Sequence, residues 1–222
     1  MGWFKQLMGL EAPNASKSPS ASDSLPVVGP LGLASGKQVT FDATLKLLLD
    51  GNSAVVIPGS QQVWALGVVD LGQSNWLSRC YMNDEDYWLQ VHTSGDIVGQ
   101  VESVILFNYL SYVTINSEAE LRRLAGPESL IGLPTYTHNG VEYHREWGTE
   151  PGQTELVALS ERVSNPEESY SVEHRSMLYA RDTGLTDRRE FLLFSVEEDA
   201  EGTISLSTSL GISLYTTDLN TF

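Results

Sequence analysis

From residue 63 onward, apolar and polar residues alternate in short runs. Residues 63–71, 77–82 and 87–93 are rich in β-branched and aromatic side chains. They are separated by Gly72-Gln73-Ser74-Asn75 and Asn83-Asp84-Glu85-Asp86, which predicts an antiparallel meander. Residues 101–115 are predominantly hydrophobic and fit either a strand pair or one bent strand. Further strands are expected at 133–137 and 141–147, flanking His138-Asn139-Gly140, a strong hairpin signal. Four more are expected at 154–163, 170–181, 190–196 and 203–210.

Two segments carry the 3.6-residue period instead. In FDATLKLLLDG, Asp42 can cap, Leu45, Leu48 and Leu49 form an apolar face, and Gly51 ends the turn. In SEAELRRLAGP, Ser117 with Glu120 three residues on forms a capping box, closed by Gly126-Pro127. The fold expected is mainly β (α+β), with antiparallel sheets forming a sandwich or barrel-like body and two or three short helices. That body spans 37–222, with a possible division into sub-domains near 126–132. A faint echo links Tyr81-Met82-Asn83-Asp84 and the following Tyr87-Trp88 to Tyr179-Ala180-Arg181-Asp182 and the following Phe191-Leu192.

The start of the chain is different. Residues 1–10, MGWFKQLMGL, place Trp3, Phe4, Leu7 and Met8 on one face of a short helix, which orders only against a membrane surface, a partner or its own domain. The myristoylation pattern fails at Gln6. In residues 11–36, 17 of 26 are Ala, Ser, Pro or Gly, a composition that predicts a flexible tether.

Charge changes this picture only where it is located. The net −16 lies wholly beyond residue 36, with −5 over residues 37–110 and −11 over residues 111–222. Such a body repels phosphate backbones and anionic lipid, so no nucleic-acid partner is expected and any membrane contact falls to residues 1–10. One cysteine makes no internal disulfide. No apolar run approaches the ~20 residues of a membrane span. A cytoplasmic protein is expected, peripheral at the inner membrane if its first residues anchor it there.

Motifs for nucleotide binding, serine hydrolysis and zinc proteolysis are missing from the sequence, and neither catalytic residues nor a cofactor are assigned. Two clusters remain as candidate metal ligands. Asp84, Glu85 and Asp86 crowd a turn and offer oxygen ligands to a hard cation. Glu142 and His144 share one face of a strand with Glu146, a spacing compatible with a transition metal or acid–base work. Arg145, on the opposite face among aromatic residues, needs a carboxylate or aromatic partner. Cys80 reads as a buried apolar thiol, and His92, His138 and His174 carry no signal.

The ordered series ALGVVDLGQ (65–73), RCYMNDEDYWLQV (79–91), EYHREW (142–147), LYARD (178–182), EFLLFSVEED (190–199) and LGISLYTTDLNTF (210–222) resembles the YjfK-like family of uncharacterised bacterial proteins, a domain of unknown function. The Trp-Phe start and variable linker resemble that family too. The resemblance carries over no catalytic residues to this chain. It does imply an accessory role near the inner membrane or in stress response, with a phage-shock-like coiled-coil protein or a small membrane protein as partner. The function expected is a non-enzymatic binding or adaptor protein using Trp3, Phe4, Leu7 and Met8. The alternative is an enzyme or ligand-binding protein whose site is assembled from dispersed residues such as Asp84, Asp86, Glu142 and His144.

Overall fold

The structure is a computed structural model describing residues 28–198 and 202–222. Eight antiparallel strands close a barrel. Four come from a first meander: β2 (Gln61–Gly72), β3 (Asn75–Met82), β4 (Tyr87–Ser94) and β5 (Gln100–Ile115). Four come from a second: β8 (Val157–Ser164), β9 (Ser169–Asp182), β10 (Arg189–Glu198) and β11 (Ile204–Leu214). The meanders join where β5 pairs β11 and where residues 66–69 of β2 pair residues 161–164 of β8. Closure leaves the paired stretches without an edge.

Four shorter strands lie outside the ring. β1 (Gln38–Phe41) lies between β2 and β12 (Leu219–Thr221), and the hairpin of β6 (Thr135–His138) and β7 (Val141–Arg145) docks on β9. The hairpin signal is realised directly: Asn139 and Gly140 adopt φ of 49° and 80°, the left-handed pair a two-residue hairpin turn requires. The 101–115 run is one strand. Tyr109 faces Ser209 and Ser111 faces Thr208, so Leu110 is an extra residue that bends it.

The helices are α1 (Leu45–Leu49) and α2 (Glu118–Ala125). Ser117 Oγ accepts the Glu120 N–H at 3.2 Å, and the Glu120 carboxylate reaches back to the Asn116 N–H rather than to that of Ser117. On α1, Asp42 accepts both the N–H and the hydroxyl of Thr44. Leu48 departs from the expected apolar face: it is exposed, whereas Leu45 and Leu49 are buried, because a helix this short turns only its i and i+4 positions to the barrel.

Successive residues of a strand point to opposite sides of the barrel wall. Leu89, Leu106, Leu192 and Ile212 face outward and are nevertheless buried, beneath a jacket that includes Leu33, Val39, Leu45, Leu49 and Leu121. Residues 28–36, within the stretch read as tether, thus contribute to the jacket, and Leu33 is fully buried. Residues 1–27, with Trp3, Phe4, Leu7 and Met8, lie outside the described residues.

The interior is filled by large residues set against small ones. Trp88 stacks on Phe107 at 4.3 Å, and β11 turns Ser205, Ser207, Ser209 and Gly211 inward to make room. Trp147 packs against Val69, Leu77 and Leu159 and closes one mouth. The echoing tracts occupy the middle hairpins of the two meanders but in opposite phase. Tyr81 points into the barrel, whereas Tyr179 points out to bond Gly132 and Leu133. No helix of the described residues is long and apolar enough to cross a membrane.

Candidate functional site

The densest polar chemistry is inside the barrel. Arg79 of β3, Glu161 of β8 and His174 of β9 come from strands distant in sequence and meet because barrel closure sets β2 beside β8. Glu161 Oε2 accepts from Arg79 Nη1 at 2.7 Å and lies 2.8 Å from His174 Nε2, while Tyr81 donates to Oε1 at 2.9 Å. Arg79 Nε also reaches Gln90 at 3.3 Å, and its guanidinium lies over the Trp88 ring. The far ring nitrogen of His174 is 3.1 Å from Ser195 Oγ, which is 2.9 Å from Ser176 Oγ. Glu197 stands 3.7 Å from the same nitrogen and accepts from Ser207.

Glycine makes the arrangement possible. A Cβ on Gly67 would coincide with the Glu161 carboxylate, so only a residue without a side chain leaves Glu161 room between Arg79 and His174.

Burial would raise Glu161, but Arg79, His174 and Tyr81 outweigh it and hold the carboxyl down at about 2. Burial likewise opposes charge on His174, and the hydrogen bonds to Glu161 and Glu197 outweigh it, raising the imidazole above its ordinary 6.5. Burial pushes the phenols of Tyr81 and Tyr109 up, with Glu161 and Glu197 adding respectively.

These shifts define the pH dependence. Glu161 is depressed in the folded state, so its contribution is full above its ordinary 4.5 and disappears as pH falls towards about 2. His174 is raised, so its share is full below 6.5 and is lost as pH rises through its folded value. Urea unfolding from pH 2 to pH 9 should show both losses. The acid limb should flatten in Glu161→Gln and the alkaline limb in His174→Asn.

Carboxylate, imidazole and serine hydroxyl lie in series, as in nucleophilic catalysis. The space around them is a crevice of only about 10 Å³ at the mouth opposite Trp147. That is about one water, whereas an acyl substrate needs hundreds of cubic ångströms and a reacting atom ~3 Å from the nucleophile.

The residues singled out in the sequence lie elsewhere. Asp84, Glu85 and Asp86 occupy the exposed turn between β3 and β4. Glu142 and His144 stand exposed on β7, 4.0 Å apart, and Glu146 pairs with Arg189 rather than with them. Among the described residues, no three His, Cys, Asp or Glu side chains group as a metal site requires. Arg145 finds backbone carbonyls of Gly132, Gly148, Glu150 and Gly152 in place of the expected carboxylate or aromatic ring, and so fastens the 148–152 loop. Cys80 is fully buried and its thiol is pushed up by burial, as expected of an apolar-like cysteine. A second buried carboxylate, Glu190, gathers Tyr143, Arg181, Ser53 and the Ala54 N–H outside the barrel. It holds the jacket, and the Tyr143 phenol is pushed up to about 12 by burial and by that carboxylate.

Residues 3–220 match the family described as protein of unknown function (DUF2491). The chain belongs to the DUF2491 family. The uncharacterized protein YjfK of Escherichia coli (strain K12) is 27% identical over 229 residues, covering 99% of this chain and 98% of that one. No solved structure matches the chain significantly. The family match starts at Trp3, so the apolar start and the barrel fall within one shared pattern.

Proposed function

We propose that this DUF2491 protein is a non-enzymatic adaptor. Its acidic barrel is a rigid body, and Trp3, Phe4, Leu7 and Met8 are the anchor that holds it at the inner-membrane surface, as an accessory to a phage-shock-like stress system. The observation that carries this reading is the filled interior: Arg79, Glu161, His174 and Ser195 satisfy one another beside a crevice the size of one water, which suits a structural role. The family match from Trp3 supports treating the apolar start as part of the working molecule.

Chain length allows this division of labour. Seventeen residues separate position 10 from Val28, and a chain of that length spans up to about 55 Å, enough to hold a −16 body away from an anionic surface.

The test is flotation with phosphatidylethanolamine/phosphatidylglycerol vesicles. The full chain should float, the chain lacking residues 1–10 should not, and both should melt at the same temperature. Equal flotation of the two would remove the anchor.

A further inference from the structure

We propose that the free edge of β5 beyond its bulge is a docking site for an extended apolar peptide flanked by basic residues, independent of the N-terminal anchor.

Strand β4 begins at Tyr87, opposite Asn108, so the pairing of β4 with β5 stops there. A single further bond ties Tyr109 N–H to the carbonyl of Asp86 at 2.9 Å. Strand β5 continues to Ile115 with only β11 beside it, and among the described residues no strand pairs its other side. Every second residue there turns its N–H and C=O outward, the pattern that strand addition uses.

The side chains fit such a use. Residues 110–114 are five consecutive exposed positions, with Leu110 at 41%, Tyr112 at 64% and Val113 at 40%. Residues 103–117 contain no Asp, Glu, Lys or Arg, and no Pro, so the edge lacks the charges and prolines that ordinarily blunt an exposed strand.

Charge selects the occupant. Asp84, Glu85 and Asp86 flank the edge where it leaves β4. At its other end β5 runs into the first turn of α2, which carries Glu118 and Glu120. A neutral apolar edge between two acidic groups complements an apolar strand with Lys or Arg at its ends. It disfavours a second copy of this chain, which would bring a −16 body against another.

The probe is a labelled decapeptide, Lys-Lys-Val-Thr-Val-Tyr-Val-Thr-Lys-Lys, compared with its Glu-flanked counterpart by fluorescence anisotropy on the full chain. The Lys-flanked peptide should bind at least about tenfold tighter, and the preference should shrink as salt rises from about 0.05 to about 0.5 M. Tyr112→Lys, at an exposed position with the fold checked by circular dichroism, should weaken it about tenfold by placing a cation on the edge. Asp84→Asn/Glu85→Gln/Asp86→Asn should reduce the discrimination while leaving residual binding to the backbone. Equal binding of the two peptides, binding of neither, or no effect of Tyr112→Lys would overturn the proposal. So would a protein dimer that Tyr112→Lys dissociates, or about tenfold tighter binding after removal of residues 1–10, since the edge would then already be filled by this chain.

Discussion

Replacing Arg79 with Met is expected to destabilise the barrel by about 3–5 kcal/mol. The guanidinium is buried against Glu161, itself fully buried, and its loss strands a carboxylate that has only His174 and Tyr81 to answer it. The same reasoning predicts that Arg79→Met combined with Glu161→Leu recovers most of the loss, because two apolar side chains need no partner and His174 can then remain neutral. Urea unfolding of both variants measures this. A single-variant loss under about 1 kcal/mol, or a double variant as unstable as the single, would show that the pair does not hold the interior.

Gly67→Ala is expected to cost about 2–4 kcal/mol, although the exchange adds one methyl group and would ordinarily be mild in a strand. Its Cβ would fall on the Glu161 carboxylate and drive it away from Arg79 and His174, so the penalty is electrostatic as well as steric. In a background carrying Arg79→Met and Glu161→Ala the methyl has space and no ion network to disturb, and the cost should fall below about 1 kcal/mol. An undiminished cost in that background would place the strain in the backbone of β2 instead.

What could be read from the chain and what could not divide along local and non-local lines. The cap of α2 lies in Ser117 and Glu120, three residues apart, and the hairpin turn lies in two adjacent residues, Asn139 and Gly140. Alternation marked the strands for the same reason, since each follows from a few neighbouring side chains. The bulge at Leu110 had no such signature, because it depends on which residue of β11 stands opposite. Barrel closure is likewise a pairing of residues 66–69 with 161–164, and nothing near either segment announces the other. The internal network was missed with it. Arg79, Glu161 and His174 are each a lone polar residue in a different strand, and they become a unit only when the ring closes. A usable trace was present: Arg79 lies in the apolar stretch LSRCYM, and Glu161 shares its face with Leu159 and Val163. An unpartnered charge at an inward position demands a partner on another strand. Asp84, Glu85, Asp86, Glu142 and His144 attracted attention through proximity in sequence, and they are solvated on a turn and on the outer face of β7.

As proposed, the interior chemistry holds the fold while the apolar start holds the protein at its place of work. Vesicle flotation of three proteins tests it most directly: the full chain, the Arg79→Met/Glu161→Leu variant, and the chain lacking residues 1–10. The first two should float equally, and the third should stay in solution with an unchanged melting temperature. Loss of flotation in the folded interior variant, or its retention after removal of residues 1–10, would contradict it.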